Sequence, residues 1–346
     1  MSYSNRIFIY LPVGLLLLLV VLYSVYWRVQ ADTLAARLDA ANGGEIVPGI
    51  IFTFAEKSVG GYPFRLDTVL SGVTFAHRRM DGETAWRTER LALHAMTYGR
   101  PMFLVEADGL QSFARPPLEA GQVPRVIFVT SAQARASVIL RDGGLLRFDL
   151  DMLRPDGKDA SQDADPARTF SAARAQFHLL RRADNTIDVV TRIDGAMLGA
   201  GYMPALSGEL PLIELKGKLM QAQAFEGLQT RTASVFDATE DWRRSGGALA
   251  VENLALNWGP VRTNLTGIIE LDDNHNPSGA LAGPVDAGGV LGTLLRGMFS
   301  GAPDGKILLS LQFKDGDIKV GAGATAPAGA AAPAGSAPAA AAPAIP

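Results

Sequence analysis

An unbroken apolar stretch near the start of the chain predicts a membrane-spanning helix. Residues 7–27 contain no formally charged side chain and include the run Leu15, Leu16, Leu17, Leu18, Leu19, Val20 and Val21. At about 1.5 Å per residue, a helix of this length reaches roughly 31 Å, which matches the hydrocarbon core of a bilayer. Tyr10 lies near one end, and Tyr23, Tyr26 and Trp27 lie at the other, where aromatic rings favour the membrane–water boundary. We therefore predict that residues 7–27 anchor the protein in a lipid bilayer.

A signal peptide that is removed after export is the alternative interpretation of this stretch. Signal peptides have a shorter apolar run followed by a small-x-small cleavage site, whereas this run ends in Tyr26-Trp27-Arg28. Retention is therefore favoured. Arg6 and Arg28 flank the run almost symmetrically, so they do not decide its orientation. A signal anchor with residues 1–6 as a cytoplasmic stub predicts a single-pass protein of a bacterial inner membrane, with the rest of the chain in the periplasm.

The pattern beyond the apolar stretch changes from helical to alternating. Residues 28–44 are Ala-rich and end in Asn42-Gly43-Gly44, which predicts a helical stalk with a stop signal. In 64–70, Phe64, Leu66 and Leu70 share one face of a strand, while Arg65 and Asp67 share the other. Similar alternation recurs around Leu150, Val189, Ile269 and Leu311. The pattern predicts a mainly β fold: one large curved antiparallel sheet, or two packed sheet segments, with a few short helices.

Turn signals and composition divide the remainder of the chain. Arg141-Asp142-Gly143-Gly144 and Asp315-Gly316 are typical of hairpin turns. Polar and apolar helices are expected at 231–244 and 286–299, respectively. Residues 154–168 are nearly free of apolar side chains, which indicates a solvated loop or a joint that divides the predicted β-rich region, 45–320, near its middle. Residues 321–346 are rich in Ala and Pro and are predicted to form a disordered tail.

Charge and cysteine content exclude several classes of function. The chain has 32 Lys and Arg against 35 Asp and Glu, a net charge of −3. Such a weak field argues against nucleic acid as a partner, because that affinity rests on many phosphate contacts. With no cysteine, the chain has no disulfide, thiolate metal site, catalytic thiol or lipidated cysteine. Any membrane anchor must therefore be peptide.

The search for catalytic or metal-binding motifs finds none that is complete. His77, His94, His178 and His275 are widely separated and lack helical ligand spacing. Asp149 and Asp151 share a strand face, which is more typical of a solvated sheet surface than of an acid–base pair. The run 272–277 begins like a calcium loop, but it has Pro277 at the glycine position and is read as a hairpin turn. There is also no phosphate loop or nucleophile elbow, so we expect no enzyme, no metal and no cofactor.

Two groups of residues resemble an uncharacterised, membrane-anchored family of Gram-negative bacteria that is known as a numbered domain of unknown function. The first is Gly60–Leu66, with Gly61 and Pro63, followed by Trp86; the second is 242–260, ending in Trp258-Gly259-Pro260. The resemblance covers about residues 5–320 and implies an anchored, exported, β-rich protein without a known reaction. Physically, Gly61 and Pro63 set a bend before a strand. Trp258 is expected to pack in the core, with a binding role as the alternative.

Three functions are compatible with these features. A membrane helix followed by long amphipathic strands is similar in plan to AsmA-type proteins, whose curved sheets hold acyl chains in an apolar groove, so one expectation is binding or transfer of phospholipid or another envelope lipid. The second is a non-enzymatic scaffold that contacts other envelope proteins through its sheet edges or Ala/Pro tail. A hydrolase acting on envelope polymers is the third, and no residue in the sequence specifically supports it.

Overall fold

A computed structural model gives the chain one long amino-terminal helix and one large antiparallel sheet, with three short helices in the part of the chain that it describes. It describes residues 4–79, 82–96, 102–116, 124–142, 144–160, 168–199, 208–259, 261–288, 307–314 and 317–322. The helical segments are α1 (Ser4–Ala41), a 3-10 turn (Ala222–Phe225), α2 (Glu226–Gln229) and α3 (Val235–Arg244). The strands are β1 (Glu45–Val47), β2 (Ile50–Thr53), β3 (Glu56–Gly60), β4 (Arg65–Arg79), β5 (Gly82–Met96), β6 (Met102–Arg115), β7 (Arg125–Thr130), β8 (Gln133–Arg141), β9 (Gly144–Leu153), β10 (Asp156–Asp159), β11 (Thr169–Ser171), β12 (Arg174–Arg181), β13 (Ile187–Leu198), β14 (Glu209–Leu219), β15 (Leu249–Trp258), β16 (Val261–Leu271), β17 (Pro277–Ala287), β18 (Ile307–Lys314) and β19 (Asp317–Ala322). The predicted mainly β fold is confirmed.

Helix α1 continues past the end of the apolar stretch. It passes Trp27 without interruption and ends at Ala41, as the Ala-rich sequence predicts. The amide of Asn42 closes this end, because its Nδ2 donates to the carbonyl of Phe54 at 3.1 Å and its Oδ1 accepts from the Phe54 N–H at 3.0 Å. Among the described residues, this is the one helix that is long and apolar enough to cross a membrane, with a mean hydropathy of 2.0 within Tyr10–Ala41.

Most strands pair with their neighbours in the chain, always in the antiparallel sense. β1 pairs with β2, β2 and β3 pair with β4, and the order continues through β5 to β6. β6 pairs with β7 along one part of its length and with β8 along another. From β8 the order runs through β9, β12, β13, β14, β15, β16, β17 and β18 to β19. β10 and β11 connect β7 to β13.

Irregular backbone positions interrupt β4, β6, β13 and the connection between β9 and β10. Gly72 in β4, Gly109 in β6 and Gly195 in β13 have φ values of +60°, +81° and +59°. Between β9 and β10, Arg154 has a φ of +47°. At Gly109 a side chain would also collide with Glu89, whose Oε2 lies 2.1 Å from the ideal Cβ position. Because bulges and breaks of this kind bend strands and increase their twist, the long strands are curved.

Buried apolar side chains form one cluster among the first strands and two among the last, the smaller of which consists of Val285 and Ala287. The first cluster contains Phe52, Phe54, Leu70, Val73 and Leu91, and Leu38 and Ala41 of α1 pack against it. The second contains Val251, Leu265 and Leu281. Within these clusters Leu70, Leu265 and Leu281 are each 1% exposed. The strands that contribute these side chains, chiefly β2, β4, β5 and β15 to β17, are therefore well packed.

The prediction of a loop or joint at residues 154–168 is wrong for Asp156–Asp159, which form β10. This strand is held by backbone pairing to β7 and β11 rather than by alternating apolar residues. Gly157 allows the ring of Phe170 to lie directly over the backbone, since an ideal Cβ there would be 2.1 Å from Phe170 Cζ. The flanking strands β9 and β12 also pair directly, so the sheet continues across this segment. Residues 161–167 lie outside the described residues.

Three further expectations need correction. The helix predicted at 231–244 begins only at Val235, because Ser234 caps it and Arg231 has a φ of +59°. In the helix predicted at 286–299, residues 286 and 287 instead belong to β17, and 289–299 lie outside the described residues. Phe64, predicted to share a strand face with Leu66, precedes β4 and is 61% exposed.

The predicted hairpin turn after β16 is confirmed. Asp272 Oδ1 accepts hydrogen bonds from the N–H groups of Asn274 and Asn276, both at 2.8 Å, and β16 pairs with β17 on either side. β8 pairs with β9 and β18 with β19 around the other two predicted turns, but Gly143 and residues 315–316 lie outside the described residues. The prediction of a disordered tail at 321–346 is wrong for residues 321 and 322, which belong to β19 and pair with β18, and residues 323–346 lie outside the described residues.

Candidate functional site

One face of the sheet carries a continuous row of apolar and uncharged side chains. In antiparallel pairs, residues opposite each other lie on the same face. Following the pairs from β4 to β16 gives the row Thr68, Leu93, Val105, Ala136, Leu150, Phe177, Thr191, Leu215, Leu254 and Leu265. On the last strands Leu281 pairs with Leu311, and Leu311 pairs with Val320. We call the side of the sheet that bears this row the apolar face.

The burial of the apolar face differs between its ends and its middle. Leu93 and Val105 pack against the first cluster, and Leu265 and Leu281 belong to the second, whereas Val320 on the edge strand β19 is 63% exposed. On the central strands, Leu150, Phe177 and Leu215 are only half-buried. A half-buried row of this length is an elongated surface that is suited to another apolar molecule.

The opposite side of the sheet is charged, and we call it the charged face. Its central row alternates in sign and contains Glu106, Arg135, Asp151, Gln176, Arg192 and Glu214. Arg135 pairs with Glu106, Arg174 donates to Asp151 at 2.7 Å, and Arg192 lies 3.4 Å from Glu214. Ion-paired side chains of this kind are stable in contact with water, so this side of the sheet is suited to solvent, in contrast to the apolar face.

Asp149 on the charged face has a lowered pKa. Partial burial is the largest single effect and raises the pKa, but hydrogen bonds from Arg147, His178 and Ser137 together outweigh it. The distances are 2.6 Å from Arg147 Nε, 2.7 Å from His178 Nδ1 and 3.1 Å from Ser137 Oγ. For Asp151, the hydrogen bond from Arg174 lowers the pKa. Both carboxylates are thus engaged in ion pairs, the solvated-surface role that their alternation with apolar residues predicts.

Three of the four histidines lie beside carboxylates. His94 Nδ1 is 2.7 Å from Asp67 Oδ1, and His178 makes the contact to Asp149 given above. His275 Nε2 lies 3.0 Å from Glu240 Oε2, where the hairpin turn meets α3. Within the described residues, no group of three or more His, Asp or Glu side chains is arranged to hold a metal ion. His77 lies on β4, opposite Ile50.

A polar cluster joins α3 to the turn between β16 and β17. Arg243 donates two hydrogen bonds of 2.9 Å to Glu240, and another of 2.6 Å to Asp273. The two bonds from Arg243 to Glu240, with a further ion pair from Arg244, lower the pKa of Glu240 to about 2. On the other side of α3, the indole of the buried Trp242 donates to the carbonyl of Met220 at 2.6 Å. The lowered pKa of Glu240 is therefore explained by the ion pairs within this cluster, which join α3 to the turn.

The segment around Gly61 and Pro63 contacts helix α1. Tyr23 Oη donates to the carbonyl of Pro63 at 2.6 Å, and Trp27 Nε1 donates to the carbonyl of Arg65 at 2.8 Å. Gly61 has a φ of +96°, and a Cβ there would lie 2.8 Å from the Arg65 carbonyl oxygen. The bend expected from Gly61 and Pro63 is present, and the sheet meets α1 at this bend.

The two tryptophans of the sequence motifs lie on different strands. Trp86 in β5 stacks between Phe75 and Phe113, with ring centroids 5.5 and 6.5 Å away, and its Nε1 donates to Gln111 at 3.3 Å. Trp258 is the last residue of β15 and is half-buried. Gly259 follows with a φ of +53°, and Pro260 lies outside the described residues. The core role of Trp258 remains a prediction.

Sequence reasoning missed a set of exposed apolar residues beside α1. Tyr62, Phe64, Met96 and Met102 are 51%, 61%, 46% and 49% exposed. The last two are at the end of β5 and the start of β6, and Met96 pairs with Arg65 at the start of β4. Since neither methionine belongs to a local motif, only the strand pairing places them at the same end of the sheet.

The fold and its two faces define an amphipathic β-sheet protein that carries an apolar amino-terminal helix. The chain belongs to the family described as uncharacterised proteins conserved in bacteria, DUF2125, whose profile matches residues 27–286. The predicted membership of an uncharacterised bacterial family is therefore confirmed. No curated protein and no solved structure matches the chain.

Proposed function

We propose that this protein is a non-catalytic, single-pass protein of a bacterial inner membrane whose periplasmic sheet binds the acyl chains of an envelope lipid. The observation that carries the proposal is the apolar row from Thr68 to Leu265, which is half-buried at Leu150 and Phe177. A sheet with one apolar face must cover that face with helices, with another sheet or with a ligand. Here α1 reaches only the first cluster, and α2 contacts β9 at Gly144 and β12 at Arg181, so the row around Leu150 and Phe177 is left for a ligand.

The shape of the face suits an acyl chain better than a compact ligand. Strands in a sheet are about 4.8 Å apart, so the ten strands from β4 to β16 along the row extend over roughly 40 Å. An acyl chain is long, narrow and apolar, and it gains roughly 0.8 kcal/mol for each CH₂ group that it buries. The bends at Gly72, Gly109 and Gly195 support a groove rather than a flat surface. The proposed groove is similar in plan to that expected from the resemblance to AsmA-type proteins.

Packing of α1 supports its retention as a membrane anchor. Trp27 and Ala31 are 8% and 6% exposed, whereas Leu16 and Leu17, within the apolar stretch, are 61% and 60% exposed. A signal peptide cut after Trp27 would remove the indole that donates to Arg65 and would leave a gap beside the sheet. The first half of α1 thus has the surface of a lipid-facing helix, and the second half belongs to the folded domain.

Lipid retention by variants on the two faces tests the proposal. The full-length chain is purified in a mild detergent, and its bound phospholipid is quantified by mass spectrometry. Phe177→Glu places a charge in the apolar row and should abolish retention, because an unpaired buried charge is strongly disfavoured. Gln176→Glu makes the same charge change on the charged face, beside Arg192, and should retain lipid at the wild-type level.

A second variant distinguishes loss of lipid binding from loss of folding. Leu150→Trp adds bulk to the same row without charge and should lower lipid retention while circular dichroism remains that of a folded sheet. Equal retention by wild type, Phe177→Glu and Leu150→Trp would contradict the proposal, as would a wild-type protein that carries no lipid.

The edge of the sheet supports an envelope scaffold as the second candidate. β19 pairs with β18, and its Ile318 and Val320 are 62% and 63% exposed. Edge strands with exposed apolar residues are suited to pairing with another chain. In the purification described above, a single protein partner in fixed ratio, lost in Val320→Lys, together with an absence of lipid would favour this function.

A further inference from the structure

We infer that the end of the sheet beside α1 makes a second contact with the bilayer, through the exposed side chains of Tyr62, Phe64, Met96 and Met102. This inference rests on the proposed membrane anchor. It adds that the strand ends themselves touch the membrane surface.

Hydrogen bonds between α1 and the loop before β4 fix the position of this end of the sheet along α1, and so its depth relative to the bilayer. The apolar stretch of α1 ends at Trp27, and Tyr23 is one helical turn, about 6 Å, closer to the membrane centre. Tyr23 bonds to Pro63 at 2.6 Å, and Ser24 Oγ is 2.7 Å from Tyr62 Oη. The ring of Tyr62 also meets the ring of Trp27 edge-on, with centroids 5.4 Å apart. The loop before β4 therefore lies at the depth at which α1 leaves the hydrocarbon.

The side chains at this height have the composition of a membrane interface. Aromatic rings favour the headgroup region, and flexible methionine side chains adapt to apolar surroundings. Phe64 is 61% exposed although it follows directly on the loop that is bonded to α1. Tyr62 and Phe64 lie in the loop before β4, and Met96 and Met102 lie at the adjoining ends of β5 and β6, so this end of the sheet bears a patch of four apolar side chains that are each at least 46% exposed.

Positive charges lie just outside the patch. Arg28, the first charged residue after the apolar stretch, is 75% exposed and lies 3.3 Å from Asp32, and Arg65 is 56% exposed and lies 3.1 Å from Asp67. Arg28 also lines a pocket between α1 and β3 together with Trp27 and Lys57. Both guanidinium groups are more than half exposed, so in the proposed contact each retains surface for a lipid phosphate besides its carboxylate partner.

Because the chain contains no cysteine, single cysteines can be introduced as unique labelling sites. We would attach a nitroxide to Phe64→Cys, Met102→Cys, Leu16→Cys and Phe128→Cys in the full-length chain, reconstituted in vesicles of phosphatidylethanolamine and phosphatidylglycerol. The measurement compares collisions with oxygen, which concentrates in the bilayer, with collisions with a water-soluble nickel complex. Leu16 tests the anchor, and Phe128, a 36% exposed residue on β7, is the matched control away from α1.

The expected result is a bilayer-type ratio at Leu16, Phe64 and Met102 and a water-type ratio at Phe128. A bilayer-type ratio at Leu16 with water-type ratios at Phe64 and Met102 would overturn the second contact while the anchor stands. A bilayer-type ratio at Phe128 would also overturn it, because contact would not be confined to this end. A water-type ratio at Leu16 would overturn the anchor and the second contact together.

Discussion

Asp149 shows how a single charged residue is stabilised on the sheet. Its carboxylate receives hydrogen bonds from a residue on the same strand, Arg147, and from residues on both neighbouring strands, Ser137 and His178. The alternation of Asp149 with Phe148 and Leu150 predicts which face it occupies. Its partners could not be predicted, because Ser137 and His178 are brought to it by register, and register depends on the whole sheet.

Replacing Asp149 with Asn should make stability less sensitive to acid. The pKa of Asp149 is below its ordinary value of 3.8, so its contribution is present above that value and is lost as the pH falls through the folded-state pKa. The free energy of unfolding in urea should therefore decrease less between pH 6 and pH 3 in Asp149→Asn than in wild type. Asp286→Asn, at an exposed position of β17, is the control and should follow wild type; an equal decrease in all three proteins would contradict the prediction.

At the scale of elements, long alternating strands were predictable and short or capped elements were not. β13 and β18 follow from their alternating apolar residues, whereas β10 has the sequence Asp-Gly-Lys-Asp and exists because β7 and β11 pair with it. The start of α3 is set by a capping box, in which Ser234 Oγ accepts from the Asp237 N–H and Asp237 accepts from the Ser234 N–H. This Ser-x-x-Asp pattern was available in the sequence and would have placed the start correctly.

Loss of this cap should weaken α3 and its packing on the sheet. Ser234→Ala should lower the free energy of unfolding by about 1 kcal/mol, the usual effect of removing a serine cap. Trp242, buried at the other end of α3, gives a fluorescence signal for the transition in urea. Asp241→Ala, an exposed change near the end of the same helix, should not destabilise the protein. A destabilisation of equal size in both variants would contradict the role of the cap.

At the scale of the whole molecule, the amphipathic sheet follows from the sequence, but its continuity does not. The alternating segments indicate many half-exposed strands, and the single sheet becomes apparent only when β9 is seen to pair with β12 across residues 154–168. The candidate site, the apolar row, likewise depends on strand pairing. No local motif marks Leu150, Phe177 and Leu215, which form one row only because three separate pairings align them.

Removal of bound lipid should lower the thermal stability of the whole sheet. A ligand that binds only the folded state stabilises it by about 2.7 kcal/mol when present at 100 times its dissociation constant. The unfolding midpoint, followed by circular dichroism, should therefore decrease after extensive detergent washing and recover when phospholipid is added back. Detergent without lipid is the control. Identical midpoints in all three conditions would contradict lipid binding by the apolar face.

The uninterrupted helix α1 has a mechanical consequence for the proposed lipid carrier. It is joined to the sheet at Tyr23 and Trp27, and again at Leu38, points that lie about 22 Å apart along a helix. Two separated attachments prevent the sheet from swivelling on its anchor as it would on a flexible tether. In the proposed function, the sheet then holds its lipid within a fixed distance of the membrane. A molecule that accepts the lipid must therefore approach the sheet.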